Sequence, residues 1–410
     1  MTLEFDKVLP QVERMGRALA ARNITMSERL EDAWQRLQRL TDLGTIHDRI
    51  QLARQRDAGF RGAAPLHEAV NRPYPLPASP DVATILAVDG SQIYPNMHAA
   101  AVYYLINIGV FVYHHGVEHL PEQFTEPRLF YSEDVVRDKY GQVVTNAAVN
   151  ARRAVAEIQV LSRECWHRRG LPTSLLAISD GPLLFWTGRE VPDHPRLEAD
   201  YLGSLVHMHD VHAAKVLEGT SASLVGYVDR PSSTFLVGLL HLMDLAEEEV
   251  RHSQLTTHGA LEGLVDAPLL HRLLQPGERS ALMVQQSPQN KAYHDKGESY
   301  EIAFFYLNVG NDERGYHMAR VEMPMWVARE PALVNQVHSL LYDQCGMMWR
   351  YPYALTRADE VAVVRAHERS QLDEMIEVEL RRNAQVVEHS EKLESKVSRH
   401  GRTRYGQKQL

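Results

Sequence analysis

TILAVDGSQIYP (residues 84–95) and SLLAISDGPLLFW (residues 174–186) decide how this chain is read. In each, a short run of β-favouring apolar residues meets an Asp-Gly pair, Asp89-Gly90 in the first and Asp180-Gly181 in the second. Asp-Gly alone is an ordinary turn signal. Two such pairs, each closing a buried β run, can bring two carboxylates to one cation.

The sequence between and before them fixes the order of elements. Residues 97–113, MHAAAVYYLINIGVFVY, carry no formal charge. Their length approaches the ~20 residues of a membrane span. They are rich in Val, Ile and Tyr and contain Asn107 and Gly109, so a buried strand is expected. VEHLPEQFTEPRLFYS (117–132) supplies a third strand. Residues 146–169 read as a helix, with Ala151, Ala154, Val155, Ile158, Leu161 and Cys165 on one face. The order strand, strand, strand, helix, strand predicts a mixed α/β core.

Further elements follow. Helices are expected over 197–217, 261–274, 331–345 and 359–382, and strands over 221–231, 302–309 and 318–327. At the other end, Leu30, Trp34, Leu37, Leu40 and Leu43 recur at three- and four-residue steps and predict helix over residues 1–57. NRPYPLPASPDV (71–82) then holds four prolines, which resist helix and ladder alike. The expected organisation is an N-terminal helical region and Pro-rich linker (1–78), a catalytic domain (79–385) and a basic tail (386–410). The N-terminal apolar stripe is a candidate contact for a partner or for a second copy.

Composition narrows the function classes. Hydrophobic residues make up 44% of the 410 and charged residues 24%, an ordinary globular balance. The net charge of -9 argues against a basic DNA-coating protein, although basic charge is concentrated in the tail at Lys392, Lys396, Arg399, Arg402, Arg404 and Lys408. The N-terminus shows no apolar signal core. Cys165 and Cys345 have no metal-site spacing, and a reducing cytoplasm fits. No membrane association is expected. The 21 histidines include His207, His209 and His212, which lack the i, i+4 spacing of paired helical ligands. No GxxxxGK[ST] loop is present, so any ATP-driven motion would need a partner.

Phosphodiester hydrolysis at neutral pH uses divalent cations to generate hydroxide and to offset charge on the reacting oxygens. Hard ions such as Mg2+ and Mn2+ take oxygen ligands. A third carboxylate is expected from the helix between the strands. Glu157 lies at its middle on the edge of the apolar face, flanked by Ala154 and Leu161. Glu164 on the same face and Glu133 before the helix are weaker candidates. Arg320 and Glu322 share one face of a strand, as residues two apart do, and suit either the site or a structural ion pair. Arg230, Lys291 and Arg320 are candidate nucleic-acid contacts.

AVDGSQIYP (87–95), the helix bearing Glu157, ISDGPLL (178–184), ARVEMPMWVA (319–328) and YPYAL (351–355) resemble, in that order, the motifs of the NurA nucleases. The resemblance runs from about Val82 to the basic tail. It implies an RNase H-like mixed β-sheet core flanked by helices, here with an N-terminal helical extension. It implies a manganese-dependent homodimer that digests DNA ends 5′ to 3′, cuts single strands and works with the hexameric ATPase HerA. Carried over residue by residue, it makes Asp89, Glu157 and Asp180 metal ligands and Tyr351 a further active-site residue. The family places a histidine eight residues after that tyrosine, where this chain has Asp359. Histidine donates a proton near neutral pH, whereas ionised aspartate only accepts. Asp359 is therefore either a further ligand or the N-cap of the next helix, the cap being favoured. An alternative reading is a catalytically impaired dimeric adaptor that docks on a HerA-type ATPase. A third, an actin-like nucleotide binder, lacks the second Gly-rich phosphate loop.

Overall fold

The computed structural model describes residues 4–138, 140–186, 189–191, 193–312, 315–348 and 350–383. The basic residues of the 386–410 tail lie outside the described residues. In chain order the strands are β1 (Ala63–Pro65), β2 (Ala83–Ile93), β3 (Tyr104–His115), β4 (Glu122–Phe130), β5 (Ser174–Asp180), β6 (Ala222–Asp229), β7 (Met283–Gln285), β8 (Ile302–Asp312) and β9 (Gly315–Pro324). The chain divides into two compact units.

One unit comprises Asp81–Asp180, Phe185–Ala222 and the described residues from Tyr353 on. Its strands lie in the order β4-β3-β2-β5. β2 pairs antiparallel with β3, and β3 with β4, while β5 runs parallel to β2. A parallel partner needs a crossover connection, and the Asn146–His167 helix supplies it. This is the mixed α/β core expected, a sheet flanked by helices. Residues Ala83 to Val88 of β2 are all buried, as a strand covered on both faces requires.

Two details of this unit position the carboxylates. β2 does not stop at Asp89-Gly90; it continues to Ile93, with Asp89 opposite Gly109 of β3. The Tyr353–Ala362 helix packs against β2 and β3. Its final carbonyl, that of Ala362, accepts from Ser91 Oγ at 2.5 Å and Asn107 Nδ2 at 2.7 Å. Those bonds satisfy a helix-end acceptor that would otherwise be orphaned.

The edge strand β4 is largely exposed and is tied down by charge. Glu122 pairs with Arg168 and Glu126 with Arg163, each at 2.5 Å, and both arginines also hold Glu164.

The second unit comprises the residues up to Pro80, Gly181–Leu184 and Ser223–Pro352. It holds an antiparallel sheet in the order β1-β7-β8-β9-β6. The expected N-terminal helix is two helices, Phe5–Arg39 and Leu43–Gln55. The break falls where Asp42 accepts from the N–H groups of Gly44 and Thr45 and starts the second helix. Ala33, Leu37, Ile46, Ile50 and Ala53 enter a core with Leu236, Leu239, Leu240, Leu270 and Phe304. By contrast, Phe5, Leu9, Val12 and Met15 are exposed. The strand expected over 318–327 ends at Pro324, and Met325–Ala328 turns into a short helix.

Gly109 is the point where the Tyr353–Ala362 helix lies flush on β3. A Cβ there would stand 2.4 Å from the Ala358 carbonyl oxygen and 2.6 Å from the Ala362 nitrogen, both backbone atoms. Gly109→Ala is expected to lower stability by about 1–3 kcal/mol, the usual range for overpacking. Chemical denaturation checks this; an unshifted midpoint would show that the helix gives way freely.

Candidate active site

The parallel ladder between β2 and β5 pairs Val88 with Ser179. The next residue on each strand is an aspartate, Asp89 and Asp180. Adjacent strands lie about 4.8 Å apart, so two like charges are set side by side. Glu157 reaches them from the Asn146–His167 helix. The two Asp-Gly pairs achieve this differently. Gly181 has φ +85° and makes a true turn after Asp180. Gly90 is an in-strand residue whose missing side chain makes room for others. A Cβ at Gly90 would lie 2.5 Å from Glu157 Oε1 and 2.9 Å from Arg153 Cγ.

The charges feel one another. Burial raises the Asp89 carboxyl to about 6, and Asp180 and Asp359 push it the same way, against the Gly90 N–H and Arg153. Burial raises Glu157 to about 8, reinforced by Asp89 and Asp180 and opposed by Arg153 and the Gly90 N–H. Its side chain is 16% exposed, and Oε1 is buried without a hydrogen-bond partner. Arg153 Nε lies 3.2 Å from that oxygen, yet it too lacks a hydrogen-bond partner. The two oppose each other in charge without aligning as donor and acceptor.

This donor set fits a hard divalent ion. Three carboxylates offer only oxygens, and one buried oxygen is left unsatisfied. As they stand, no three His, Cys, Asp or Glu side chains among the described residues are gathered tightly enough to hold a metal.

Asp359 is not an N-cap. It lies inside the Tyr353–Ala362 helix, close to its C-terminal end, and is exposed. The helix starts earlier than expected, at Tyr353, directly after Pro352. It stops at Ala362, and a separate helix, Ala366–Arg382, begins after the Arg365 N–H donates to Glu368. The charge of Asp359 adds to the upward push on the Asp89 carboxyl.

The weaker carboxylate candidates are engaged elsewhere. Glu164 is held by Arg163 and Arg168, and Glu133 pairs with Arg137 at 2.7 Å. Among the histidines, His207 contacts Ser162 and Trp166, and His212 Nδ1 lies 2.8 Å from the Ala222 carbonyl.

Tyr351, Arg230, Lys291 and Arg320 belong to the second unit. The Tyr351 ring packs edge-on against the buried Tyr227, with centroids 5.4 Å apart. Arg230 has φ +44° and an exposed side chain, and Lys291 is exposed. Arg320 is buried, paired with Glu322 at 2.7 Å, and lies over Phe235. Of the roles open to it, the geometry realises the ion pair. Glu322 also accepts from the Leu183 N–H at 2.8 Å, so this motif holds the turn that follows Asp180. Sequence reasoning missed Arg153. The i, i+4 spacing of Arg153 and Glu157 was the available signal.

The model of the NurA domain family matches residues 83–364. No curated protein gives a significant match. Among solved structures, the NurA nuclease from Sulfolobus solfataricus is similar at 13% identity, over 83% of this chain and 94% of that one, with a TM-score of 0.45. The catalytic domain of human endonuclease V is similar at 16% identity, over 80% and 98%, with a TM-score of 0.32. Drosophila Piwi follows at 12%, over 68% and 29%, with a TM-score of 0.30.

The raised carboxyls fix the sign of a pH effect. Unfolded, both ionise near 4. Their contribution to stability is complete below that pH and is lost as pH rises through about 6 for Asp89 and about 8 for Glu157. Glu157→Gln removes the later part of this loss. In the presence of a chelator, the variant's melting temperature is expected to fall less than wild type between pH 6 and 8. Parallel curves would count against the assignment.

Proposed function

We propose that this chain, which belongs to the NurA family and so to a family of DNA-processing nuclease domains, is a Mn2+- or Mg2+-dependent deoxyribonuclease acting at DNA ends. The observation that carries the reading is the β2–β5 register, which sets Asp89 beside Asp180 with Glu157 over both. A scaffold has no use for such repulsion unless a cation offsets it.

Asp89, Asp180 and Glu157 would hold the metal, with Asp359 at the rim. A bound divalent ion lowers the pKa of water and offsets charge on the phosphate. Asp89 and Asp180, carried on rigid strands, would fix the place of the ion that offsets the charge of the reacting phosphate. Glu157 would complete the ligand shell and help orient the attacking water. By resemblance to the family, Tyr351 is proposed as a further active-site residue. Arg230 and Lys291, exposed on the second unit, are candidates for contacts to the DNA backbone. In keeping with the family, the reading includes 5′ to 3′ exonuclease and single-strand endonuclease action, a homodimer and a HerA-type hexameric ATPase as partner. No described helix is long and apolar enough to cross a membrane.

The second reading is an impaired adaptor. It draws on Asp359, an acceptor where the family has a proton donor. One assay separates the two. Asp89→Ala and Asp180→Ala are expected to reduce Mn2+-dependent cleavage of linear DNA by more than the roughly 10–100-fold that outer-shell substitutions cost. Circular dichroism of both variants should match wild type. Wild type that binds the ATPase yet leaves DNA intact in Mn2+ would favour the adaptor.

A further inference from the structure

Arg153 is a cation built into the group formed by Asp89, Glu157, Asp180 and Asp359, and the proposed chemistry does not use it. Its guanidinium is anchored to β2. Nη1 donates to the Gly90 carbonyl at 2.8 Å and to Gln92 Oε1 at 3.1 Å. Gln92 in turn donates to the Tyr94 hydroxyl at 2.9 Å, and that hydroxyl donates to Asn150 Oδ1 at 2.8 Å. The chain of bonds closes on the helix that carries Arg153 itself. Four residues on, Glu157 Oε1 lies 3.2 Å from Arg153 Nε.

An exposed i, i+4 ion pair on a helix would contribute little. This one is different in two respects. Both facing atoms are buried, and neither has a hydrogen bond. Gly90 leaves the space through which the arginine stem passes. The arginine is therefore held in place by β2, while its Nε faces Glu157 through charge alone. A carboxylate oxygen that faces its arginine without a hydrogen bond is one a stronger cation can take away.

We propose that Arg153 is a positioning residue that serves as the resident counter-cation of the carboxylate cluster, holding Glu157 beside β2 until a divalent ion takes it over. The proposal rests on the metal-dependent reading above. Arg153 stabilises the metal-free site and opposes the entering ion, so its removal shifts the balance toward the metal-bound form.

Calorimetric titration of the full chain with Mn2+, without DNA, tests this together with thermal melts in chelator and in Mn2+. Arg153→Gln is expected to melt lower than wild type in chelator. It should gain more from Mn2+ and bind it on the order of ten-fold more tightly, as loss of a like charge near the ion predicts. Arg153→Lys keeps the charge and should stay close to wild type. Unchanged or weaker Mn2+ binding by Arg153→Gln would overturn the proposal, as would a lysine variant that behaves like the glutamine one. The wild-type chain gives an independent check. The Arg153 Nε–H resonance should shift when Mg2+ is added, and an unmoved resonance would overturn the proposal even if Arg153→Gln does not fold. Failure of wild type to bind Mn2+ at all would sink the metal reading and this proposal with it. Binding that Arg153→Gln leaves unaltered would sink this proposal alone.

Discussion

The parallel pairing of β2 with β5 is the constraint on which the rest depends. Once Val88 faces Ser179, the following residues must stand side by side. Both are aspartates. A one-residue slip would turn one of them to the opposite face. The ladder that fixes the register is apolar, since Ile85, Leu86, Leu175, Leu176 and Ile178 are all buried. Hydrophobic burial thus holds two like charges where electrostatics alone would part them. The cost shows in the carboxyls of Asp89 and Glu157, whose pKa is pushed up chiefly by burial and further by the neighbouring charges.

The cluster is completed by close approach rather than by side-chain packing. Gly90 admits Glu157 and Arg153, and Gly109 admits the helix carrying Asp359. These two glycines sit on adjacent rungs of the same hairpin, since Gly90 pairs with Ile108 and Asp89 with Gly109. Neither serves as a turn. Both let backbone and carboxylate layers come nearer than a Cβ would allow. In the second unit, Glu322 does comparable work on the turn after Asp180 by accepting the Leu183 N–H.

The core of this arrangement was legible in the sequence because its strands are covered on both faces and read as apolar runs. The helix between them showed a clean amphipathic face, which located Glu157. What escaped has specific causes. The helix Phe235–Asp244 is buried from Leu236 to Leu242, so it offers no polar face to reveal a period. β1 and β7 span three residues each, too few for a pattern. Asp359 read as a cap because an aspartate before a polar helical stretch usually is one; the earlier start after Pro352 changed its place. Arg153 escaped because its importance lies in contacts with Gly90 and Gln92, distant in sequence. Tyr351 was named from resemblance, and its packing on Tyr227 carries no pattern that residue spacing could reveal.

The edge strand β4 has a consequence for assembly. An open strand invites a second chain to add to the sheet through its free main-chain groups. β4 discourages this. It contains Pro127, which has no N–H to offer, and it is lined by Glu122, Glu126 and Arg128, whose partners hold them in place. Strand addition at this edge would have to break those pairs and leave a gap in the new ladder. Association at this edge therefore favours contacts between side-chain surfaces, chosen by shape and charge, over extension of the sheet.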